Sequence, residues 1–296
     1  MTDKQKNFVV RTITGAFFVT ALVTCFLNGM AMVFLFTLIS SMTMWEYTGL
    51  VNNIKGVQVN RFISAAAAIF LFLGMTAYSC GITDGDKVPA AMVFMPYLLT
   101  IIYLFISELY TKNENSLHDW AYTMLGQMYI ALPFATINLL AFQPTPDGVM
   151  FNNILPLSVF IFLWTNDTGA YLSGSLFGKH KLFPRISPGK SWEGSIGGGI
   201  LVIIVAVVLA MFTKGAADTE ASSLTHILTW VGMGLTVVFF GTWGDLVESL
   251  IKRTMCIKDS GNILPGHGGM LDRFDSSLMA IPACVVYIYL VQYLVG

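Results

Sequence analysis

Residues 194–213 read GSIGGGILVIIVAVVLAMFT, a stretch of 20 residues without a charged side chain. A helix of about 20 apolar residues is long enough to cross the roughly 30 Å hydrocarbon core of a bilayer. The chain contains eight charge-free windows of this kind, at 12–45, 62–83, 88–107, 120–146, 148–166, 194–213, 221–244 and 276–296. The pattern predicts an all-α fold, a polytopic bundle of membrane-spanning helices.

The first window, 12–45, is longer than one crossing requires, and Asn28-Gly29 interrupts it. Asparagine and glycine favour turns, because both tolerate backbone conformations that helices do not use. We therefore interpret this region as two spans, about 13–27 and 31–51, joined by a tight turn. The bundle then has about nine transmembrane helices. Eight is the alternative, in which 13–27 only lies in the membrane interface.

The composition agrees with a membrane protein and excludes several other classes. Only 11% of the 296 residues are charged, whereas a soluble domain carries about 25%. The net charge of −1 excludes a basic protein that binds polyanions, so we expect no nucleic-acid partner. The 22 Phe, 11 Tyr and 6 Trp exclude intrinsic disorder.

The loop charges predict an orientation, because lysine and arginine are enriched in cytoplasmic loops. With a cytoplasmic N-terminus and nine alternating spans, 14 of the 16 basic residues face the cytoplasm and only Lys87 and Lys214 face outward. We therefore expect the N-terminus inside and the C-terminus outside. The whole chain, 1–296, is interpreted as one integral membrane domain, with an N-terminal span bundle (1–145) and a catalytic half (146–296).

Two predicted cytoplasmic loops, 174–193 and 245–275, are longer than connectors between spans need to be. They hold eight of the basic residues and many glycines and prolines. For Lys179, Lys181 and Arg185, anchoring beside anionic lipid is an equally good explanation. The remaining pattern is too specific for anchoring alone and indicates a functional site.

The beginning of the second loop predicts a polar helix face. Asp245, Glu248, Ser249 and Lys252 have helical spacing, so a helix that continues from the eighth span places them on one side. Asp245 sits where that span leaves the bilayer. A carboxylate at that depth is costly unless a cation or a polar cavity faces it.

The rest of the second loop combines groups suited to phosphate and metal chemistry. Positive charge for phosphates comes from four side chains, Lys252, Arg253, Lys258 and Arg273. Gly266-His267-Gly268-Gly269 can expose backbone N–H groups as an anion-binding nest. Asp272 and Asp275 offer the carboxylate oxygens that Mg²⁺ prefers. The set indicates metal-assisted phosphoryl or nucleotidyl transfer, with His267 as a general base or as a positioning group.

These residues carry a resemblance to a known family. The stretch Ser249–Asp275 resembles the motif of the phosphatidate cytidylyltransferases (CDP-diacylglycerol synthases), including Lys258-Asp259, His267-Gly268-Gly269 and Asp272-Arg273. Two further segments, Asn166–Tyr171 and Ser187–Gly194, are also similar to family segments. In the N-terminal half only Trp45-Glu46 shows a local similarity.

The resemblance implies a reaction of CTP with phosphatidate that gives CDP-diacylglycerol and pyrophosphate. It implies Mg²⁺ as cofactor and leaves a second cation open. By the resemblance, the metal ligands are Asp245 and Asp272, with Asp275 as a weaker candidate. The catalytic set is Asp245, Asp272, Lys258, His267 and Asp167. The substrate-binding set is Lys190, Ser191, Lys252, Arg253, Lys258, Gly268, Gly269 and Arg273.

The resemblance also implies a setting, a homodimer in contact with membrane lipid. We expect it in a bacterial inner (plasma) membrane, with the active site facing the cytoplasm, where CTP is. One rival is a dolichol kinase, which transfers the γ-phosphate of CTP to a polyprenol. Another is a transporter that uses Asp167, Asp245 and Glu46 as coupling acids.

Three alternatives concern individual residues. Asp167 is either an active-site group or a helix cap at the end of a span. Glu46 is either a functional acid or an acid paired inside the bundle. The glycines that open the seventh span favour close helix packing over phosphate binding; they are Gly194, Gly197, Gly198 and Gly199.

Overall fold

Helices account for most of the chain. A computed structural model describes residues 3–83, 88–111, 115–213, 220–261, 263 and 268–295. Its helices are α1 (Asp3–Cys25), α2 (Gly29–Val51), α3 (Arg61–Ser79), α4 (Ala90–Ser107), α5 (Ser116–Gly126), α6 (Leu132–Ala141), α7 (Ile154–Phe177), α8 (Trp192–Thr213), α9 (Glu220–Thr254) and α10 (Leu271–Val295). A π-helical turn, Gln127–Ala131, joins α5 to α6.

Polar side chains at helix starts explain several of these boundaries. Asn28 caps α2, because its side-chain oxygen accepts hydrogen bonds from the backbone N–H groups of Met30 (2.8 Å) and Ala31 (3.3 Å). The predicted break at Asn28-Gly29 is therefore confirmed. Asn152 starts α7 in the same way, through the N–H groups of Ile154 and Leu155.

Seven helices among the described residues are long and apolar enough to cross a membrane. They comprise Gly29–Val51, Arg61–Ser79, Ala90–Ser107, Ser116–Ala141, Trp192–Thr213, Ser223–Thr254 and Leu271–Leu294. The predicted first span appears only as the short apolar helix Thr12–Cys25. The chain is thus a helical membrane protein. Nine crossings and the orientation of the termini stay predictions; Lys87, Lys112 and Lys214 lie outside the described residues.

Two short hairpins correct the expectation of a purely helical fold. Strand β1 (Phe142–Thr145) pairs antiparallel with β2 (Gly148–Phe151), and β3 (Lys181–Phe183) pairs antiparallel with β4 (Ser187–Ser191). The first hairpin turns at Gly148, whose φ of 125° suits glycine. It occupies the start of the predicted window 148–166, so α7 begins later and runs on to Phe177.

Most residues of 174–193 and the first residues of 245–275 belong to helices or strands. Helix α9 extends to Thr254, so the residues from Asp245 to Arg253 are helical and the connection to α10 begins after them. Helix α7 and the second hairpin occupy most of 174–193. The predicted helical continuation of the eighth span is therefore confirmed. In 174–193 the sequence predicts a loop, but the end of α7 and the pairing of β3 with β4 satisfy the backbone hydrogen bonds instead.

The chain divides into two compact units. Unit 1 comprises Met1–Pro156 with Thr254–Phe274, and unit 2 comprises Leu157–Arg253 with Asp275–Gly296. Much of the predicted motif therefore belongs to the N-terminal unit. Inside unit 1, the rings of Phe36, Phe134 and Phe274 form a buried cluster with centroids 5.4 to 6.4 Å apart. This cluster packs the start of α10 against α2 and α6.

Candidate active site

A polar pocket of about 200 Å³ lies inside unit 2. Helices α7, α8 and α9 and strand β4 contribute its lining, which comprises Asn166, Asp167, Ala170, Tyr171, Gly189, Lys190, Ser191, Gly194, Ser195 and Thr242. Three predicted site residues, Asp167, Lys190 and Ser191, are brought together here. Asp167 lies in the interior of α7 and not at its end, so the helix-cap explanation is wrong.

An ion pair adjoins this pocket. The Nζ atom of Lys190, on β4, lies 2.6 Å from Oδ2 of Asp245, on α9. The same Nζ is 3.5 Å from the carbonyl oxygen of Thr242, and the Ser249 hydroxyl donates to Asp245 Oδ1 at 3.2 Å. Lys190 is thus a cation of the kind expected to face Asp245. The two predicted segments around Lys190 and Asp245 thus meet in one site.

Asp275 belongs to the same neighbourhood. Helices α9 and α10 approach closely at Gly244, where a Cβ atom would lie 2.8 Å from the Asp275 carbonyl oxygen and 3.1 Å from Cα of Ser276. The Asp245 and Asp275 carboxylates repel each other, and the cations of Lys190 and Lys252 offset that repulsion. Glycine at 244 therefore permits the close approach of α9 and α10. This approach brings the carboxylates of Asp245 and Asp275 near the cations of Lys190 and Lys252.

The donor chemistry of this place suits Mg²⁺. Two carboxylates offer hard oxygen ligands, and Mg²⁺ completes its octahedron with water and phosphate oxygens. Across the described ranges, no group of three or more His, Cys, Asp and Glu side chains is arranged to hold a metal by itself. Within unit 2, Asp245 and Asp275 are two acids that could contribute ligands, and Asp167 lines the adjoining pocket. The Mg²⁺ assignment stays a prediction.

The predicted polar face of α9 is present. Lys252 Nζ lies 2.6 Å from Oε2 of Glu248, whose side chain is 0% exposed. Arg253 is exposed, and its Nε donates to the Ile186 carbonyl oxygen at 3.4 Å, which ties the end of α9 to the turn of the second hairpin. Glu248 was not among the predicted site residues, although its helical spacing from Lys252 indicated the pair.

Small residues hold α7 against α8 beside the pocket. A Cβ atom at Gly169 would lie 2.9 Å from Cα of Gly198, so no larger residue fits at this crossing. Asn166 packs on Gly198, is 6% exposed, and its Oδ1 has no hydrogen-bond partner within the described part of the chain. Ser191 caps α8 by accepting the Gly194 N–H at 3.1 Å. The predicted packing role of the α8 glycines agrees with these contacts.

Replacing Gly198 with alanine should destabilise unit 2. The new methyl group would lie 2.8 Å from the backbone oxygen of Asn166, which cannot move without shifting α7. Overpacking of this kind costs about 1–3 kcal/mol, so thermal unfolding in detergent should show a lower Tm. Gly199→Ala is the matched control, because its Cβ would meet only Val238 Cγ1 at 3.7 Å. Equal Tm values for the two variants would contradict the packing interpretation.

Other predicted residues lie in unit 1. Asp272, in the first turn of α10, accepts hydrogen bonds on Oδ2 from the N–H groups of Ser260 and Gly269, both at 2.8 Å. Gly268 has a φ of 83°, which suits glycine. Lys258 and Arg273 are exposed. His267 and Gly266 lie outside the described residues, so their predicted roles stay predictions.

Comparison with known proteins identifies the family. The chain matches the cytidylyltransferase family over residues 9–291. It belongs to that family. A phosphatidate cytidylyltransferase of Staphylococcus epidermidis is 34% identical over 275 residues, which cover 92% of this chain and 96% of the relative. Phosphatidate cytidylyltransferases of Staphylococcus saprophyticus and Staphylococcus aureus are 33% identical over the same shares of both chains.

Membership makes the chain an enzyme that transfers a nucleotidyl group. The resemblance predicted from the 249–275 motif is confirmed, and the transporter interpretation loses its basis. The family match extends well beyond the motif, from α1 into α10. Sequence reasoning missed Tyr171, Ser195 and Thr242 as pocket residues. The helical spacing of Thr242 from Asp245 could have indicated the last of these.

Proposed function

We propose that the enzyme transfers the cytidylyl group of CTP to phosphatidate and so forms CDP-diacylglycerol and pyrophosphate. The observation that carries this proposal is the full-length similarity to relatives named phosphatidate cytidylyltransferase. The Lys190–Asp245 ion pair beside a polar pocket supports it, because the chemistry needs cations for phosphates and acids for a metal.

The proposed step is a substitution at phosphorus. An oxygen of the phosphatidate phosphate attacks the α-phosphorus of CTP, a new P–O bond forms, and the bond to the β-phosphate breaks. Pyrophosphate leaves with the electron pair of that bond. Because the attacking oxygen is already anionic, this step requires no general base, and His267 would act as a positioning group.

In unit 2 the basic side chains would bind phosphate oxygens and the acidic side chains would bind the metal. Lys190 and Lys252 would neutralise phosphate oxygens, with Arg253 at the exposed end of α9. Asp245 and Asp275 would contribute oxygen ligands, and the expectation that Asp272 is a ligand rests on the family resemblance alone. A bound Mg²⁺ supplies Lewis-acid stabilisation of the triphosphate. Asn166, buried with an available Oδ1, would orient a polar group of a substrate in the pocket.

A labelled-product assay tests the proposed function. The purified enzyme in detergent is given phosphatidate, Mg²⁺ and CTP labelled either at the α- or at the γ-phosphorus. We expect α-label in the lipid phase and γ-label in pyrophosphate. In a parallel reaction with a polyprenol in place of phosphatidate, transfer of γ-label to the polyprenol with release of CDP would establish the dolichol kinase alternative instead.

The CTP contact of Lys252 can be separated from its structural pairing. Lys252→Ala should raise the apparent KM for CTP about 10- to 100-fold, because hydrogen bonds to charged groups contribute about 1.5–3 kcal/mol. It should also lower the Tm, since the buried Glu248 carboxylate loses this cation. Adding Glu248→Gln should restore the Tm and leave the KM raised. A normal KM for CTP in the stable double variant would refute the contact.

A further part of the proposal concerns the oligomeric state, the membrane and the orientation of the enzyme. We propose a homodimer in a bacterial inner membrane, in contact with membrane lipid, with the N-terminus and active site cytoplasmic and the C-terminus outside. The bacterial relatives and the apolar helices support a bacterial membrane protein, while the homodimer rests on the family resemblance and the orientation on the loop charges. Light scattering of the detergent-solubilised enzyme, corrected for bound detergent, gives the number of subunits. Thiol labelling of single cysteines placed at Asp147 and Lys181 reports which side each hairpin faces.

A further inference from the structure

Glu46 makes an unusual set of contacts inside unit 1. This carboxylate lies on α2 and is only 7% exposed. It accepts hydrogen bonds from the N–H groups of Met270 (2.8 Å) and Leu271 (3.1 Å), at the start of α10, and a short one from the Ser260 hydroxyl. A single acid from the N-terminal half thus binds Ser260, within the connection between α9 and α10, and the start of α10.

Asp272 also binds Ser260 and the residues just before α10. Its Oδ2 accepts the N–H groups of Ser260 and Gly269. Ser260 therefore bridges the two acids, with its hydroxyl on Glu46 and its backbone N–H on Asp272. The position of the Asp272 carboxylate is coupled to Glu46 through one residue and through the turn 269–271.

Two glycines make room for Glu46. A Cβ atom at Gly261 would lie 2.8 Å from Oε2 of Glu46, and a Cβ atom at Gly269 would overlap Oε1. Both positions lie in the connection that Glu46 binds. Gly269 thus allows the backbone to approach a buried carboxylate closely. This requirement for glycine is separate from the anion-binding nest that the sequence predicted.

We propose that Glu46 is a positioning residue that holds Asp272 in its working orientation by fixing Ser260 and the start of α10. The inference rests on the proposed function, in which Asp272 takes part in the site. Residues that orient a ligand are often as important as the ligand, and their replacement lowers metal affinity or activity about 10- to 100-fold.

The charge of Glu46 is essential to this role. An ionised carboxylate has only acceptors, so it satisfies one hydroxyl and two backbone donors together. In Glu46→Gln one oxygen becomes an NH₂ group, which would face donors that it cannot bind. The variant keeps the size of the side chain, so the turn 269–271 should loosen while the helix packing around it is retained.

The test compares Glu46→Gln with Glu108→Gln, a control that removes the same charge from unit 1 at a site whose carboxylate accepts from Thr111. Hydrogen exchange should rise in peptides that cover 269–271 only in Glu46→Gln. The Mg²⁺ concentration for half-maximal activity should rise about 10- to 100-fold, while the KM for CTP at saturating Mg²⁺ changes less than about threefold. Glu46→Asp, which keeps the charge, should recover part of the loss.

Several outcomes would overturn the inference. Raised exchange at 269–271 with an unchanged Mg²⁺ requirement would make Glu46 merely structural, and unchanged exchange would show that it does not hold the turn. Should Glu46→Gln fail to fold, Ser260→Ala removes the bridging hydroxyl alone and must raise the Mg²⁺ requirement in the same direction. Failure of the wild-type enzyme to form CDP-diacylglycerol would instead refute the proposed function. The exchange measurement needs no activity, so it would still report whether Glu46 holds the turn 269–271.

Discussion

Asp245→Asn should lower the rate of CDP-diacylglycerol formation about 1,000-fold or more. The substitution keeps the size of the side chain but removes the negative charge that faces Lys190 and that a metal requires. Lewis-acid stabilisation is worth several kcal/mol, and each 1.36 kcal/mol corresponds to a tenfold change in rate. Turnover of phosphatidate and CTP at saturating Mg²⁺ measures the loss.

The control for this variant is Asp147→Asn, which removes an exposed carboxylate from the turn of the first hairpin. It should keep full activity. Both variants should insert into membranes and elute as the wild type does in detergent, because the Asp245 side chain is partly exposed and its neutral replacement adds no bulk. Turnover within threefold of wild type in Asp245→Asn would rule out its assignment as a metal ligand.

Lys190→Met should be the second most damaging change, with a loss of about 100- to 1,000-fold in kcat. Methionine retains most of the side-chain volume but removes the cation beside the pocket, and removing one preorganised group that stabilises developing charge has an effect of this size. The two acids Asp245 and Asp275 would then repel each other with less compensation. Initial rates over a range of CTP concentrations separate kcat from KM.

Lys181→Met provides a matched comparison, because Lys181 is exposed on the partner strand of the same hairpin. It should leave kcat unchanged. Lys190→Arg should recover only part of the activity, since a larger, planar guanidinium places its charge and its donors differently from the compact ammonium group that pairs with Asp245. Equal activity of Lys190→Met and Lys181→Met would contradict a catalytic role for Lys190 and leave anchoring beside anionic lipid as the explanation for both lysines.

The predictions that the structure confirmed concern interactions between residues that are close together in the sequence. The break at Asn28-Gly29 became a helix cap because the amide of Asn28 reaches the N–H groups that directly follow it. The polar face of α9 formed because helical periodicity places Glu248 beside Lys252. Charge-free windows identified spans for the same reason, since hydropathy along a helix is a local property.

The predictions that failed depend on backbone hydrogen bonds across a turn. A charge-free window such as 148–166 gives the same hydropathy whether its first residues form a strand or a helix. In the structure Phe142 pairs with Phe151, so these residues form a hairpin and α7 begins after it. Sequence periodicity could not distinguish these cases because the strands have only four residues each.

By itself the sequence determined that the chain is a helical membrane protein and which acids and cations could carry cytidylyl transfer. Hydropathy suffices for the first, because it is a local property of adjacent residues, and the second rests on the resemblance of the 249–275 motif to a known family. Only the tertiary structure decided that Lys190 pairs with Asp245 and that Glu46 binds Ser260 and the start of α10. Those contacts join residues far apart in the chain, and around Glu46 they form where Gly261 and Gly269 leave room for the carboxylate.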